Sequence, residues 1–147
     1  MRAVIQKVTL ASVSVDGALV SEIGLGLLVF LGIKAGDTSK ETDYVVRKIV
    51  NLRVFEDDQH KMNKSILDVG GEILLVSQFT LYGDCRKGNR PSFVQAMPPQ
   101  EAEPFYNDFV VALKKAYPKV KEGVFGAYMQ VQLINDGPVT ILLDHTA

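Results

Sequence analysis

The sequence is poor in the residues that hydrolytic and redox enzymes most often use for covalent chemistry. Among its 147 residues there are one cysteine, Cys85, and two histidines, His60 and His145. A single cysteine excludes an internal disulfide framework, which indicates a reducing cytoplasm. Neither histidine stands beside a serine or cysteine in a nucleophile-elbow context, and no Cys or His residues have metal-ligand spacing. The sequence therefore predicts no Ser-His-Asp triad, no metal and no cofactor.

Long apolar runs and a strong excess of charge are also missing. The longest apolar run, residues 25–33, is interrupted by glycines and falls far short of the roughly 20 residues that a membrane helix needs. The N-terminal segment carries Arg2 and Lys7, which is unlike a signal peptide. The net charge is −1, so any nucleic acid would have to meet a local basic patch. We expect a cytoplasmic protein with neither a membrane nor DNA as its partner.

Strand patterns dominate the two ends and the middle of the chain. Alternation over residues 3–15, followed by Asp16-Gly17, predicts a hairpin with residues 19–23. Two runs without alternation, Leu27–Leu31 and Glu72–Val76, predict strands buried on both faces.

Two amphipathic helices complete the pattern. Thr38 and Glu41 have capping-box spacing ahead of a helix predicted over Ser39–Leu52. A second helix is predicted over Glu101–Tyr117, with Pro104 within its first turn. The predicted fold is α/β in a single domain, residues 1–147, with two β-sheet layers (barrel-like) and helices packed on one side, a three-layer β/β/α arrangement.

Two stretches depart from this pattern. The predicted strand Glu72–Val76 runs on into Ser77-Gln78-Phe79-Thr80-Leu81 instead of ending in a turn residue. Continued alternation would place Ser77 and Phe79 on one face, and Gln78 and Thr80 on the other. Polar groups at the end of a buried strand must find partners or line a cavity.

The second stretch, Asn135–Thr140, lies between two alternating segments, which predicts the turn of a C-terminal hairpin. Its centre, Gly137-Pro138, is unusual, because an X-Pro bond can be cis at a cost of roughly 0.5–1 kcal/mol. A cis bond would aim the carbonyl oxygens of both residues in similar directions. An ordinary hairpin loop is the alternative interpretation.

Few side chains in these stretches suggest a catalyst. Thr80 is the hydroxyl that invites a nucleophile role, but no general base stands near it in the sequence, which favours a supporting role. Arg86, Lys87 and Arg90 could bind phosphates or simply form a solvated loop. Cys85 lies beside two of these cations and, without a base partner, is interpreted as an ordinary thiol.

Together, Ser77–Leu81 and Asn135–Thr140 resemble the signature pair of the D-aminoacyl-tRNA deacylases, also called D-tyrosyl-tRNA deacylases. The resemblance extends over the whole chain, through Met1–Val8, Gly26–Val29, Lys61–Asn63, Gly88–Phe93 and Phe125–Val131. It implies an ester hydrolase that removes D-amino acids from tRNA, and also mischarged glycine from tRNA(Ala). It further implies a homodimer whose active sites lie at the subunit interface.

The resemblance also implies roles for individual residues. Catalytic roles fall to Ser77, Gln78, Phe79 and Thr80. Gly137 and Pro138, in a cis pair, would reach into the other subunit's site and exclude an L side chain. The adenosine pocket would comprise Ala102, Phe125 and Met129, and the tRNA backbone would meet Arg86, Lys87 and Arg90.

The same resemblance explains the missing catalyst, because the family relies on the 2′-hydroxyl of the tRNA to activate water. The backbone N–H groups of Phe79 and Thr80 are our hypothesis for the donors to the ester carbonyl. Tyr128 stands where several relatives carry Asp, which leaves its role open. Two alternatives are an esterase with Thr80 as its nucleophile and a non-catalytic RNA-binding dimer.

Overall fold

The first strand, β1 (Arg2–Val15), organises the sheet, because it pairs with three others. Along one edge it pairs antiparallel with β2 (Ala18–Ile23) and β3 (Gly26–Gly32). Along the other edge it pairs antiparallel with β8 (Gln130–Asp144) over almost its whole length. The structure is a computed structural model that describes residues 1–145, so the last two residues of the predicted domain lie outside the described residues.

The sheet continues from β3 through two parallel strands, β6 (Glu72–Ser77) and β7 (Val120–Glu122). Successive side chains of β3 and β6 alternate between two apolar cores, so both strands are buried on both faces as predicted. One core lies between the sheet and the helices, and includes Leu27, Val29, Ile73 and Leu75. The other lies within the curl of the sheet, and includes Leu28, Leu74 and Val76.

Both long helices pack on the same core. α1 (Ser39–Asn51) begins at the predicted capping box, where the Thr38 backbone N–H donates to Glu41 Oε2 at 2.6 Å. After α1 come the short strands β4 (Phe55–Glu56) and β5 (Met62–Lys64) and the single turn α2 (Ile66–Val69). The other long helix, α3 (Pro99–Ala116), starts two residues before the predicted position. The prediction for Pro104 was therefore wrong, since this residue lies in the second turn.

The predicted fold class is confirmed: the protein is a mixed α/β fold with a barrel-like sheet and its helices on one side. Within residues 1–145, none of the helices combines the length and the apolar character that crossing a membrane requires.

The predicted C-terminal hairpin was wrong. Residues 130–144 form one continuous strand, and Asn135 and Thr140 pair with Val8 and Gln6 of β1. Four residues of β8 therefore stand opposite the single residue Lys7, which makes Asp136–Val139 a large bulge rather than a turn. Because β1 continues straight past it, the bulge is displaced from the ladder and its tip, Gly137-Pro138, is exposed.

The predicted alternation beyond Ser77 was also wrong. The strand ends there, and Phe79–Tyr82 form a 3₁₀ turn. Gln78 connects the two, and its backbone N–H still donates to the Leu31 carbonyl at 2.7 Å. The sheet thus positions Gln78, the residue before the turn, and the turn redirects the chain away from the sheet.

Candidate active site

The 3₁₀ turn after β6 presents unused backbone donors at the mouth of a cleft. Inside it, the Leu81 N–H donates to Gln78 and the Gly83 N–H to Thr80, at 3.2 and 2.9 Å. Within the described residues, the backbone N–H groups of Phe79 and Thr80 donate to no protein acceptor. A helical turn leaves its first N–H groups unpaired, and such groups can bind an oxygen that carries negative charge.

The cleft beside this turn has a volume of about 500 Å³ and largely apolar walls. It runs between the ends of β3 and β6 and the start of α3, and the segments before α3 and around Phe125 close its sides. Phe79 contributes an aromatic ring that meets Phe93 edge-on, with 5.1 Å between ring centroids. The lining consists of Leu31, Ile33, Ser77, Gln78, Phe79, Phe93, Ala96, Met97, Pro98, Pro99, Ala102, Phe125 and Gly126.

None of these lining residues carries a titratable side chain. His60 is exposed and bonds Glu56, while His145 stacks on Tyr44 with 3.9 Å between ring centroids. Within residues 1–145, no three His, Cys, Asp or Glu side chains are grouped so that they could hold a metal ion. The cleft can therefore bind an apolar or aromatic group and offer hydrogen bonds, but its walls supply no general base.

Thr80 lies on the rim of this cleft and not in its lining. Its side chain is exposed, and Gln78 Nε2 donates to its Oγ1. Since the hydroxyl oxygen accepts from an amide, its own hydrogen remains available to donate. Nothing in this contact removes a proton from Thr80, as a nucleophile would need.

The bulge in β8 is held at its base by side chains. Asn135 Nδ2 donates to Thr140 Oγ1 at 3.0 Å, and the Val139 N–H donates to Asn135 Oδ1 at 3.1 Å. Val139 packs into the core and is 7% exposed. Lys7 Nζ, also nearly buried, lies 3.5 Å from Asp136 Oδ2.

Every residue of Asn135–Thr140 except the two at the tip, Gly137 and Pro138, makes one of these contacts. The peptide bond between Gly137 and Pro138 is cis, and Gly137 has φ of +132°, which side chains of L-residues rarely allow. Neither tip residue lines the cleft of its own chain. The bulge therefore presents two exposed residues on a base fixed by the core.

The basic loop is closed at its base by backbone bonds between Asp84 and Ser92, at 2.8 and 3.0 Å. Arg86 turns back onto Asp84, with Nη2 2.6 Å from Oδ2. Hydrogen bonds from Arg86 lower the pKa of the Asp84 carboxyl to about 2, so this carboxylate stays charged at neutral pH and offsets Arg86. Lys87 and Arg90 are exposed and have no such partner within residues 1–145.

Two of the three residues predicted to form an adenosine pocket line the cleft. Ala102 and Phe125 line the cleft, and Phe125 packs on Tyr106 with 5.5 Å between ring centroids. Met129 does not line it: its Sδ accepts the Val124 N–H at 3.4 Å and its side chain packs on the inner core. Because residues 123–129 form a loop without a regular period, the spacing of residues in the sequence could not show which side chain points into the cleft. Tyr128 is 90% exposed.

Sequence reasoning missed most of the apolar lining. Leu31 and Ile33 looked like ordinary strand residues, and Pro98-Pro99 looked like punctuation before a helix. Phe93 and Met97 gave no periodic signal, since they lie in a loop. The one available clue was that Phe93 ends the segment Gly88–Phe93, which carries part of the family resemblance.

Comparison with known proteins gives consistent matches over the whole chain. A family described as D-Tyr-tRNA(Tyr) deacylase matches residues 4–144. A protein of Halothermothrix orenii named D-aminoacyl-tRNA deacylase is 62% identical over 144 residues, which cover 98% of this chain and 97% of that protein. A solved structure described as c-Myc DNA Unwinding Element Binding Protein is 55% identical and superposes with a TM-score of 0.95, covering 100% of both chains.

A more distant solved structure shares the fold. It is described as a probable eukaryotic D-amino acid tRNA deacylase, and it is 18% identical with a TM-score of 0.84 over 98% of each chain.

Proposed function

Since this chain belongs to the D-Tyr-tRNA(Tyr) deacylase family and is a hydrolase, we propose that it cleaves the ester bond of D-aminoacyl-tRNAs. The products are a free D-amino acid and a tRNA with an unesterified 3′ end. The observation that carries the proposal is the apolar cleft bordered by Ser77, Gln78 and Phe79, which has free N–H donors at its mouth and no titratable side chain in its walls.

The walls suit the terminal adenosine of a tRNA. Phe125 and Ala102 offer an apolar surface on which the adenine ring can pack, and aromatic stacking of a base contributes roughly 1–3 kcal/mol. The ester carbonyl then lies toward the 3₁₀ turn. There the N–H groups of Phe79 and Thr80 hold the carbonyl oxygen as negative charge develops on it.

The 2′-hydroxyl of the substrate itself serves as the activating group. It accepts a proton from the water that attacks the ester carbonyl. The bond between the carbonyl carbon and the 3′ oxygen then breaks, and the 2′-hydroxyl passes a proton to that oxygen, which leaves as a hydroxyl. The protein contributes position and hydrogen bonds, which can supply several kcal/mol of barrier lowering.

Chirality is selected by a second copy of the chain. In a homodimer, the tip of one subunit's bulge, Gly137-Pro138, enters the other subunit's cleft, where its carbonyl oxygens fill the space that an L side chain would need. The exposure of the tip and its absence from its own cleft support this arrangement. Glycine has no side chain to exclude, so glycyl-tRNA(Ala) is also a substrate.

One assay tests the function. The purified protein should release tyrosine from D-tyrosyl-tRNA and leave L-tyrosyl-tRNA intact under the same conditions. Equal hydrolysis of both would contradict chiral selection, and binding of tRNA without hydrolysis would favour a non-catalytic RNA-binding dimer. Duplex DNA added as a competitor should not slow the reaction, in keeping with the net charge of −1.

Replacing Thr80 with alanine tests the nucleophile alternative. Because Thr80 lies on the rim and its Oγ1 is bound to Gln78, we expect Thr80→Ala to keep kcat within about tenfold of the wild-type value, as for loss of one neutral hydrogen bond. Thr80→Val is the matched control, because valine has the shape of threonine but lacks the hydroxyl. Single-turnover hydrolysis of D-tyrosyl-tRNA measures both, and loss of all activity would favour the alternative with Thr80 as nucleophile.

The basic loop should contribute to tRNA affinity through its unpaired cations. The pair Lys87→Ala and Arg90→Ala should reduce the slope of log K against log salt by about 1–2, since each phosphate contact contributes about 0.7–0.9. The control is Arg86→Ala with Asp84→Ala, which removes an internal ion pair and should change the slope less. Titration of deacylated tRNA at several salt concentrations measures the slope. A larger change in the control pair would assign the contact to Arg86.

A further inference from the structure

Arg2 joins three parts of the chain at the back of the 3₁₀ turn. It pairs with Asp144 across the β1–β8 ladder, and its Nε donates to Asp144 Oδ2 at 2.9 Å. Its Nη1 donates to the Leu81 carbonyl at 3.0 Å. Its guanidinium carbon lies 4.8 Å from the centre of the Tyr82 ring. A single planar guanidinium thus makes an ion pair, a carbonyl hydrogen bond and a cation–π contact, a combination that lysine cannot make.

Two of these contacts are made to the turn that carries Phe79 and Thr80. The turn is only four residues long, and such short 3₁₀ segments have poor hydrogen-bond geometry. The Leu81 carbonyl accepts from Arg2 rather than from a backbone N–H of the turn. Arg2 therefore adds a hydrogen bond to the turn at the Leu81 carbonyl.

The Tyr82 ring needs the same support. It is 2% exposed, yet its hydroxyl has no hydrogen-bond partner within residues 1–145. The ring is held by packing and by the cation above it. The end of β3 also approaches the turn closely: a Cβ at Gly32, the residue that pairs with Arg2, would lie 3.1 Å from Leu81 Cβ and 3.3 Å from Tyr82 Cδ2. The turn thus packs against both Arg2 and the end of β3.

Arg2 is not part of the cleft lining. It borders a separate polar depression, together with Tyr82, Gly83, Asp84, Arg86 and Gln95. A substrate held in the cleft would therefore meet the turn and not the guanidinium. Any effect of Arg2 on hydrolysis must act through the position of the turn.

We propose that Arg2 is a positioning residue of the deacylase site. By holding the Leu81 carbonyl and the Tyr82 ring, it fixes the direction in which the Phe79 and Thr80 N–H groups point. This inference rests on the proposed function, because it assigns these N–H groups to the ester carbonyl. A displacement of about 1 Å at a catalytic group can reduce a rate by about 100-fold. Loss of the Arg2 contacts should therefore lower kcat.

The test compares Arg2→Met and Arg2→Lys with the control Arg53→Met, which changes an exposed arginine after α1. With D-tyrosyl-tRNA, Arg2→Met should lower kcat about tenfold while KM stays within about twofold, which is the pattern for an interaction needed mainly in the transition state. Arg2→Lys should restore only part of kcat, since its ammonium cannot make all three contacts. Arg53→Met should match the wild type.

Two further measurements separate positioning from general stability. Amide hydrogen exchange at Gly83, whose N–H closes the turn, should be faster in Arg2→Met, while exchange within α1 stays unchanged. Asp144→Asn removes the ion pair but leaves the Leu81 contact, so it should lower kcat less than Arg2→Met does.

The possible failures are distinguishable. A wild-type protein that does not hydrolyse D-tyrosyl-tRNA would refute the proposed function itself. An active wild type with an unchanged kcat in Arg2→Met would overturn the positioning role alone. A loss of kcat in Asp144→Asn equal to that in Arg2→Met would also overturn it. The effect of Arg2 would then come from its ion pair at the end of β8 and not from its contacts with the turn. If Arg2→Met does not fold, Arg2→Lys decides by the same comparison of kcat with KM.

Discussion

A D-tyrosyl-tRNA whose terminal adenosine lacks the 2′-hydroxyl should be hydrolysed about 10³-fold more slowly than the normal substrate, within the range of 10² to 10⁴ that general acid–base catalysis contributes. The reason lies in the cleft, whose walls contain no carboxylate, imidazole, thiol or amine. If the protein supplies no base, the substrate must supply one. Single-turnover hydrolysis of 3′-esterified normal and 2′-deoxy tRNAs measures the difference.

This comparison needs two controls. The neighbouring hydroxyl also affects spontaneous ester hydrolysis, so each enzymatic rate should be divided by the uncatalysed rate of the same ester. The 2′-deoxy ester should still compete with the normal substrate at a similar concentration, because the adenine and the amino acid make the same contacts. A normal rate with the 2′-deoxy ester would rule out activation by the substrate, and the alternative with Thr80 as nucleophile would then have to be tested again.

Much of the fold could be predicted from local patterns. The capping box at Thr38 and Glu41 marked the start of α1, because its hydrogen bonds are made between residues two or three apart. The burial of β3 and β6 on both faces could be predicted from runs without alternation, since each face of these strands packs on a separate core. These features depend on nearby residues or on composition alone.

The candidate site depends instead on partners far away in the chain. Asn135–Thr140 has the composition of a turn, and only its pairing with β1, about 130 residues earlier, shows that the strand continues on both sides of a bulge. Lys7 lies opposite that bulge and gave no signal of its own. Ser77–Thr80 continued a strand pattern, but the chain turns at Gln78, where the backbone bonds the Leu31 carbonyl.

The family resemblance found what local patterns could not. It drew attention to Ser77–Phe79, Ala102 and Phe125, and the structure brings these residues together around one cleft. It also selected Met129, which the structure places on the inner core instead. The difference arises because a motif identifies a segment of loop, whereas the direction of each side chain is set by packing around it.

Replacing Gly137 with alanine should lower the preference for D- over L-tyrosyl-tRNA by about 100-fold, which corresponds to about 2.8 kcal/mol at 1.4 kcal/mol per factor of ten. The added Cβ would lie 2.7 Å from Val139 Cγ2 and 3.1 Å from the Val139 nitrogen, and φ of +132° is unfavourable for alanine. Val139 is packed in the core, so the exposed tip must move instead. In the proposed dimer, a displaced tip would no longer fill the space that excludes an L side chain.

The proper control is Gly17→Ala in the β1–β2 turn, which introduces alanine at φ of +77° but has open space around the new Cβ. It should cost some stability and leave the ratio of kcat/KM for D and L substrates unchanged. Glycyl-tRNA(Ala) provides a second control: having no side chain to exclude, it should be hydrolysed by Gly137→Ala at nearly the wild-type rate. If Gly137→Ala slowed all three substrates equally, the bulge would support the fold of the site without selecting chirality. A fall in the D-to-L ratio with glycine unaffected is the result that only steric exclusion at the tip explains.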